Sequence, residues 1–262
     1  MVIPKVLVTG YKGFIGKTLF NQLNNAVGID EGYNESDIYK FLDTHNPDVV
    51  FHVGACSDTM VSDVVYVMEV NYLATKWITD WCVENNKKII YSSSAAIYGN
   101  EGIYPSNLYA WSKLLGEDYV INKGGIALRY FNVYGPGEEH KGRMASVMYQ
   151  NWNNENIKLF PNKPKRDFVY VDDVVSANIY ALEHYDELKG KWYEVGSGKA
   201  RTFEDIFDIL EFPYTYHSED KIPKGYQFYT KSDMNKWMKG WKPKFNLETG
   251  ITKYKNYLNE KS

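Results

Sequence analysis

Val6-Leu7-Val8-Thr9-Gly10-Tyr11-Lys12-Gly13-Phe14-Ile15-Gly16 opens as a β-branched apolar run, turns on glycines and passes into a segment with apolar residues at 14, 15, 19, 20 and 23. That order reads strand, glycine turn, helix. Gly10, Gly13 and Gly16 fall where a missing side chain lets backbone approach a pyrophosphate at a helix N-terminus. Lys12, Phe14 and Ile15 of the same turn complete the expected contact with a dinucleotide. Asp30 closes the next apolar run, 26–29, at the spacing expected of a carboxylate that binds a ribose hydroxyl.

Outward from this turn, further apolar runs lie at 48–53, 88–91 and 125–130, apolar throughout as buried parallel strands are. The segments between them, 36–44, 64–85 and 109–122, carry helical periodicity. The pattern predicts an α/β protein with a Rossmann-type doubly wound parallel sheet and a small C-terminal substrate-binding region. Residues 1–135 are expected to form the NAD(P)-binding domain. Residues 136–262 are expected to be mostly substrate-binding, with 166–196 returning to the first domain.

A chain of 262 residues, 44% hydrophobic and 24% charged, can bury a sizeable core and is not a disulfide-stapled miniprotein. A net charge of −3 provides no electrostatic footprint for nucleic acid or an acidic membrane surface. Cys56 and Cys82 are not paired as metal ligands, so no metal site is indicated and a reducing cytoplasm fits. The start, Val2-Ile3-Pro4-Lys5, carries no signal-type segment, and no apolar run reaches membrane-spanning length. Neither nucleic acid nor membrane is expected as a partner, and homo-oligomerisation stays open.

Tyr109 and Lys113 form Y-x-x-x-K on a predicted helix, where i and i+4 share a face. Ser94, in the run Ser92-Ser93-Ser94-Ala95-Ala96-Ile97-Tyr98-Gly99, follows the fourth strand and sits at the carboxyl edge of the sheet, where ligands bind. Chemistry on a secondary alcohol needs such a set. A tyrosine acting as base near neutrality needs about 4 kcal/mol of help to move its pKa by roughly three units. A neighbouring lysine ammonium and an oxidised nicotinamide can supply it.

Together the glycine turn, S-S-A-A-x-Y-G, Y-x-x-x-K, Asn71 in V-N-Y-L-A-T-K and Arg166-Asp167-Phe168-Val169-Tyr170-Val171-Asp172-Asp173-Val174 resemble the extended short-chain dehydrogenase/reductase superfamily of nucleotide-sugar epimerases and dehydratases. Longer strings, Arg129 to Pro136, His140-Lys141-Gly142 and Met144-Ala145-Ser146-Val147, are similar to the ADP-L-glycero-D-manno-heptose 6-epimerases of lipopolysaccharide precursor synthesis. The resemblance implies two bases, Tyr109 and Lys141, with Ser94 and Lys113 completing the catalytic set. It implies cofactor contacts from Ala55, Asn71, Lys113 and Val133, and substrate contacts from Asn132, Arg166 and Tyr226. Arg143 stands where the family has serine, so it too is placed among the residues that meet substrate.

The implied activity is epimerisation of a nucleotide-diphosphate sugar by transient oxidation and re-reduction with bound NAD(P). A 4-epimerase, a reductase or a non-catalytic NAD(P)-sensing protein are the alternatives. A 4,6-dehydratase is disfavoured, because Ala95-Ala96 stand where those enzymes carry acids. Lys141 reads either as the second acid/base or as an anion-binding lysine. Asp30 favours NAD, whereas Lys12 and the resemblance favour NADP, and the balance falls to NADP. The chain is shorter than its relatives between Asp30 and Asp48 and between Gly99 and Tyr109.

Overall fold

The fold starts from β1 (Val6–Thr9), whose four residues are all buried, and α1 (Phe14–Gln22). It continues through β2 (Ala26–Ile29), α2 (Glu35–His45), β3 (Val49–His52) and α3 (Val64–Val67). A π-helical turn, Met68–Leu73, carries α3 into α4 (Ala74–Glu84). β4 (Lys88–Ser94), α5 (Leu108–Asn122) and β5 (Ile126–Tyr130) complete the alternation. The computed structural model describes residues 4–30, 34–100, 102, 104–223 and 226–261; Val2 and Ile3 lie outside the described residues.

The remaining elements are β6 (Asn132–Tyr134), α6 (Val147–Gln150), β7 (Ile157–Leu159), β8 (Lys165–Tyr170), α7 (Val171–Glu183), α8 (Tyr185–Leu188), β9 (Lys191–Val195), β10 (Ala200–Thr202), α9 (Phe203–Leu210), β11 (Tyr214–Tyr216) and α10 (Leu247–Lys261). The main sheet is wholly parallel, in the order β2-β1-β3-β4-β5-β9. The doubly wound α/β architecture read from the sequence is therefore the observed one. The chain leaves β1 for β2 on one side and returns for β3 on the other, which creates the crevice at the strand ends where ligands bind in such sheets.

Both faces of the sheet are covered, which explains strands without alternation. Leu19 of α1 and Val174, Val175, Ala177 and Ala181 of α7 pack with Val6, Val8 and Phe51 on one face. Ile38, Leu42, Ala74, Ile78, Trp81 and Val120 pack with Leu7, Val50 and Ile89 on the other. A second core joins Tyr134, Met148, Phe168, Tyr170, Phe207, Ile251 and Tyr254 around the smaller sheets, β10-β8-β6 and β11-β7.

Two buried carboxylates of the Arg166–Val174 stretch fasten this second part to the first. Asp167, fully buried, accepts from the backbone N–H of Ser197 (2.6 Å), Gly198 (3.0 Å) and Ser232 (2.9 Å). Asp173 accepts from the N–H of Lys244 (2.7 Å) and Phe245 (3.0 Å). An ionised acid surrounded by backbone donors is well satisfied away from water, so these acids organise loops. Among the described residues no helix is long and apolar enough to cross a membrane.

Candidate active site

Gly10 has a φ of +65°, and a Cβ there would stand 2.6 Å from Gly54 Cα, so the turn between β1 and α1 admits only glycine. Gly13 caps α1 without a side-chain hydrogen bond, which leaves the first-turn N–H groups of the helix for a ligand. These residues front a cavity of about 1080 Å³ along the carboxyl ends of the sheet. Lys12, Phe14, Ile15, Gly16, Asp30, Ala55 and Val133 line it with Gly10 and Gly13, so the expected dinucleotide contacts share one wall. The uncapped helix end, the glycine-only approach and the strand-end Asp30 fit a dinucleotide.

A directed chain of hydrogen bonds braces that wall. Gly54 N–H donates to Thr9 Oγ1 (2.9 Å), which lies 2.8 Å from His52 Nδ1; His52 Nε2 lies 2.8 Å from Thr75 Oγ1, which donates to Asn71 O (2.5 Å). Because each threonine hydroxyl has one proton, the ring must accept at Nδ1 and donate at Nε2. His52 is fully buried, and burial pushes its pKa down to about 3, with the Lys113 charge acting the same way.

Asn71 lies behind the cavity, not on its wall. Its side chain accepts from Cys56 N–H (2.7 Å) and donates to Cys56 O (3.0 Å) and Ser112 Oγ (2.9 Å). It therefore holds the strand-end loop against α5.

Asn107 caps α5 by accepting from Ala110 N–H (2.9 Å), which sets Tyr109, Lys113 and Glu117 on one face at successive i, i+4 steps. Glu117, fully buried, pairs with Arg129 of β5 and accepts from Ser93 Oγ (2.6 Å), locking that face onto β4. Ser94, Tyr109 and Lys113 all line the cavity. Burial raises the pKa of the Tyr109 hydroxyl, and a hydrogen bond with Ser94 opposes the shift. The Lys113 ammonium donates to Ser92 O (2.7 Å), and its pKa is pushed down to about 7 by burial. In the protein alone, Tyr109 is thus a phenol, and a nearby positive charge, such as an oxidised nicotinamide would bring, would favour its ionised form.

Lys141 stands on a 3-10 turn, Glu139–Met144, and lines the same cavity with its Nζ 5.3 Å from the Phe14 ring centre. Burial lowers its pKa, and the Glu138 carboxylate pulls the other way. Asn132 and Tyr226 also face the cavity. Arg166 is nearly buried behind the wall, stacked over Phe203 (5.6 Å) and Tyr226 (5.2 Å). Arg143 is largely exposed and pairs with Asp58 (2.6 Å), an acid at the cavity rim.

His140, from the His140-Lys141-Gly142 string, and Phe160 also line the cavity. Sequence reasoning passed over His217, Gln227 and Glu138; the first two line the cavity, and none of the three belongs to a spaced motif. Among the described residues no group of three or more His, Cys, Asp or Glu side chains could hold a metal ion.

Residues 6–196 match the NAD dependent epimerase/dehydratase family, nearly three quarters of the chain. The chain belongs to that family. The resemblance carried by its motifs is borne out, and the family is NAD dependent by description. An ADP-L-glycero-D-manno-heptose-6-epimerase of Brachyspira hyodysenteriae is 34% identical over 98% of both chains. That alignment runs over 316 residues against 262 here, so the relative carries extra segments. The crystal structure of the Helicobacter pylori ADP-L-glycero-D-manno-heptose-6-epimerase superposes with a TM-score of 0.85 at 28% identity, covering 98% of this chain and 96% of that one. A UDP-glucose 4-epimerase of Thermotoga maritima, solved with UDP-glucose, gives 0.86 at 25% identity and 98% and 99% coverage.

Proposed function

We propose that the chain is a nucleotide-sugar epimerase of the ADP-glycero-manno-heptose 6-epimerase kind, working by transient oxidation and re-reduction of its substrate with bound NAD(P). The observation that carries this is that Tyr109 and Lys141, two proton-moving side chains on separate elements, open onto the cavity that the glycine turn also fronts. The family's 34% identical relative bears that activity in its name.

A dinucleotide would be held by the Gly10–Gly16 turn, Asp30 and Lys113, and would supply hydride acceptance and return. The protein's work is proton transfer and positioning. Tyr109, oriented by Ser94, takes the hydroxyl proton as the sugar carbon is oxidised and returns it when the original face is reduced. Inversion requires the carbonyl to turn, and its oxygen then needs a proton donor in a second pose; Lys141 serves there. Asn132, Tyr226 and, behind it, Arg166 hold the nucleotide-diphosphate sugar.

Each epimer supplied separately to single variants tests this reading. Tyr109→Phe should keep the fold and dinucleotide affinity and lose about 10²–10⁴-fold in rate. Lys141→Met should still oxidise one epimer and re-reduce it from the same face, seen as a bound-nicotinamide absorbance transient, while inversion stops. Intact inversion by Lys141→Met at saturating substrate overturns the two-base mechanism and leaves Tyr109 as the sole acid/base. A loss confined to substrate binding makes Lys141 an anion ligand.

A further inference from the structure

Glu138 and Glu139 are neighbours with opposite fates. Glu139 faces outward and meets Tyr257 Oη and Lys261 Nζ of α10, each at 2.7 Å. Glu138 is fully buried, and its carboxylate accepts from Ser146 N–H (2.6 Å) and Ser146 Oγ (2.5 Å). That pair of bonds ties the two ends of the 138–146 turn together. Within the turn Lys141 N–H donates to Glu138 O (3.0 Å), Gly142 takes a positive φ of 52°, and Ala145 N–H donates to Gly142 O (3.1 Å). Lys141 sits at the middle of the closed loop, and Ser146 caps the helix that follows.

From this geometry we propose that Glu138 is the positioning residue of Lys141, its buried carboxylate closing the turn on Ser146 and holding the ammonium at the cavity wall. The inference rests on the reading of Lys141 as the second acid/base.

A buried acid costs desolvation unless its lone pairs are met and its charge is answered. Ser146 meets two of them; burial shifts Glu138 and Lys141 each towards its neutral form, and the charge of each opposes that shift in the other. Other polar and charged groups surround the turn. Tyr254 of α10 faces Glu138, Arg143 is paired with Asp58 across the cavity rim, and Glu139 is paired with Lys261. His140 lines the cavity beside Lys141.

The experiment uses the intact protein with its dinucleotide, reductively methylated with ¹³C so that the Lys141 resonance, assigned by its loss in Lys141→Met, reports protonation directly. Glu138→Gln keeps an acceptor for Ser146 and removes the charge. In it the Lys141 titration should move to lower pH, and the limb of the inversion pH profile should move with it, while the Tyr109-dependent nicotinamide transient keeps its own profile. Glu138→Asp keeps the charge on a shorter arm, so the pH limb should stay and inversion at saturation should fall by about tenfold or more.

An unmoved Lys141 titration in Glu138→Gln, or inversion at the normal rate in Glu138→Asp, overturns the proposal. Failure of the two-base reading shows elsewhere, as inversion by Lys141→Met.

Discussion

A lysine with a pKa near 7 is held there by surroundings that penalise its charge, and Lys113 meets that description through burial. The unfolded chain protonates this side chain up to about pH 10.4, whereas the folded one releases its proton near 7, so the unfolded state binds more protons across that window. Stability contributed through Lys113 therefore rises with pH between about 7 and 10, by roughly 2 kcal/mol from pH 7 to pH 9. Urea unfolding of the cofactor-free protein at the two values should show the rise, and Lys113→Met should flatten it. The same variant should bind dinucleotide more weakly, because the ammonium that would meet the nicotinamide ribose is gone. A slope unchanged in Lys113→Met means that the ammonium is not penalised in the fold. At this scale the site is a strained pair: a phenol raised by burial and a lysine lowered by it, each poised for a ligand that brings charge of its own.

Among the elements, β1, β3 and α4 meet at His52, which carries one bond to each side and stays neutral. Its folded pKa near 3 lies below the ordinary value of about 6.5, so in between the unfolded state again binds the extra proton. Stability contributed by His52 is complete above pH 6.5 and falls on acidification, by about 2 kcal/mol at pH 5. Unfolding of His52→Gln at pH 5 and pH 7 should show a shallower acid limb than the parent, and an equal limb contradicts the tautomer assignment. How much of this was legible beforehand differs by interaction range. The strands and helices of the first half were readable because each is a local pattern: Val49–Phe51 is apolar throughout, and Tyr109 and Lys113 share a face by spacing alone. Asn71 was visible as part of a motif, yet its reach to Cys56 and Ser112 follows from a helical irregularity that periodicity does not encode. Gln227 donates to Gly99 O across 128 residues of chain, and Glu138 acts on a lysine three positions away only because the turn closes on Ser146. Contacts of that kind have no local signal.

For the whole molecule, the cavity is a joint between the parallel sheet and the second core, so a ligand spanning it should couple the stability of both. At 100 times its Kd a dinucleotide adds about 2.7 kcal/mol to the folded state, which for a chain of this size is a melting shift of several degrees. That shift also reads cofactor choice, a question of the charges around one ribose hydroxyl. Asp30 lines the cavity at the end of β2 and repels a 2′-phosphate. Lys12, exposed in the glycine turn with its Nζ 5.7 Å from the Tyr11 ring centre, supplies a positive charge to the same wall. In the NADP reading the Lys12 ammonium stands against the doubly charged phosphate, an attraction set against the repulsion from Asp30. On that reading NADP should raise the melting temperature of the parent protein more than NAD at equal concentration, and the preference should shrink as salt is added. Lys12→Ala should lower the NADP shift and leave the NAD shift nearly unchanged, with Asp30→Asn moving the balance back towards NADP. A Lys12→Ala protein that keeps its NADP affinity, while NAD binds the parent more tightly, assigns the ribose to Asp30 and makes NAD the working cofactor.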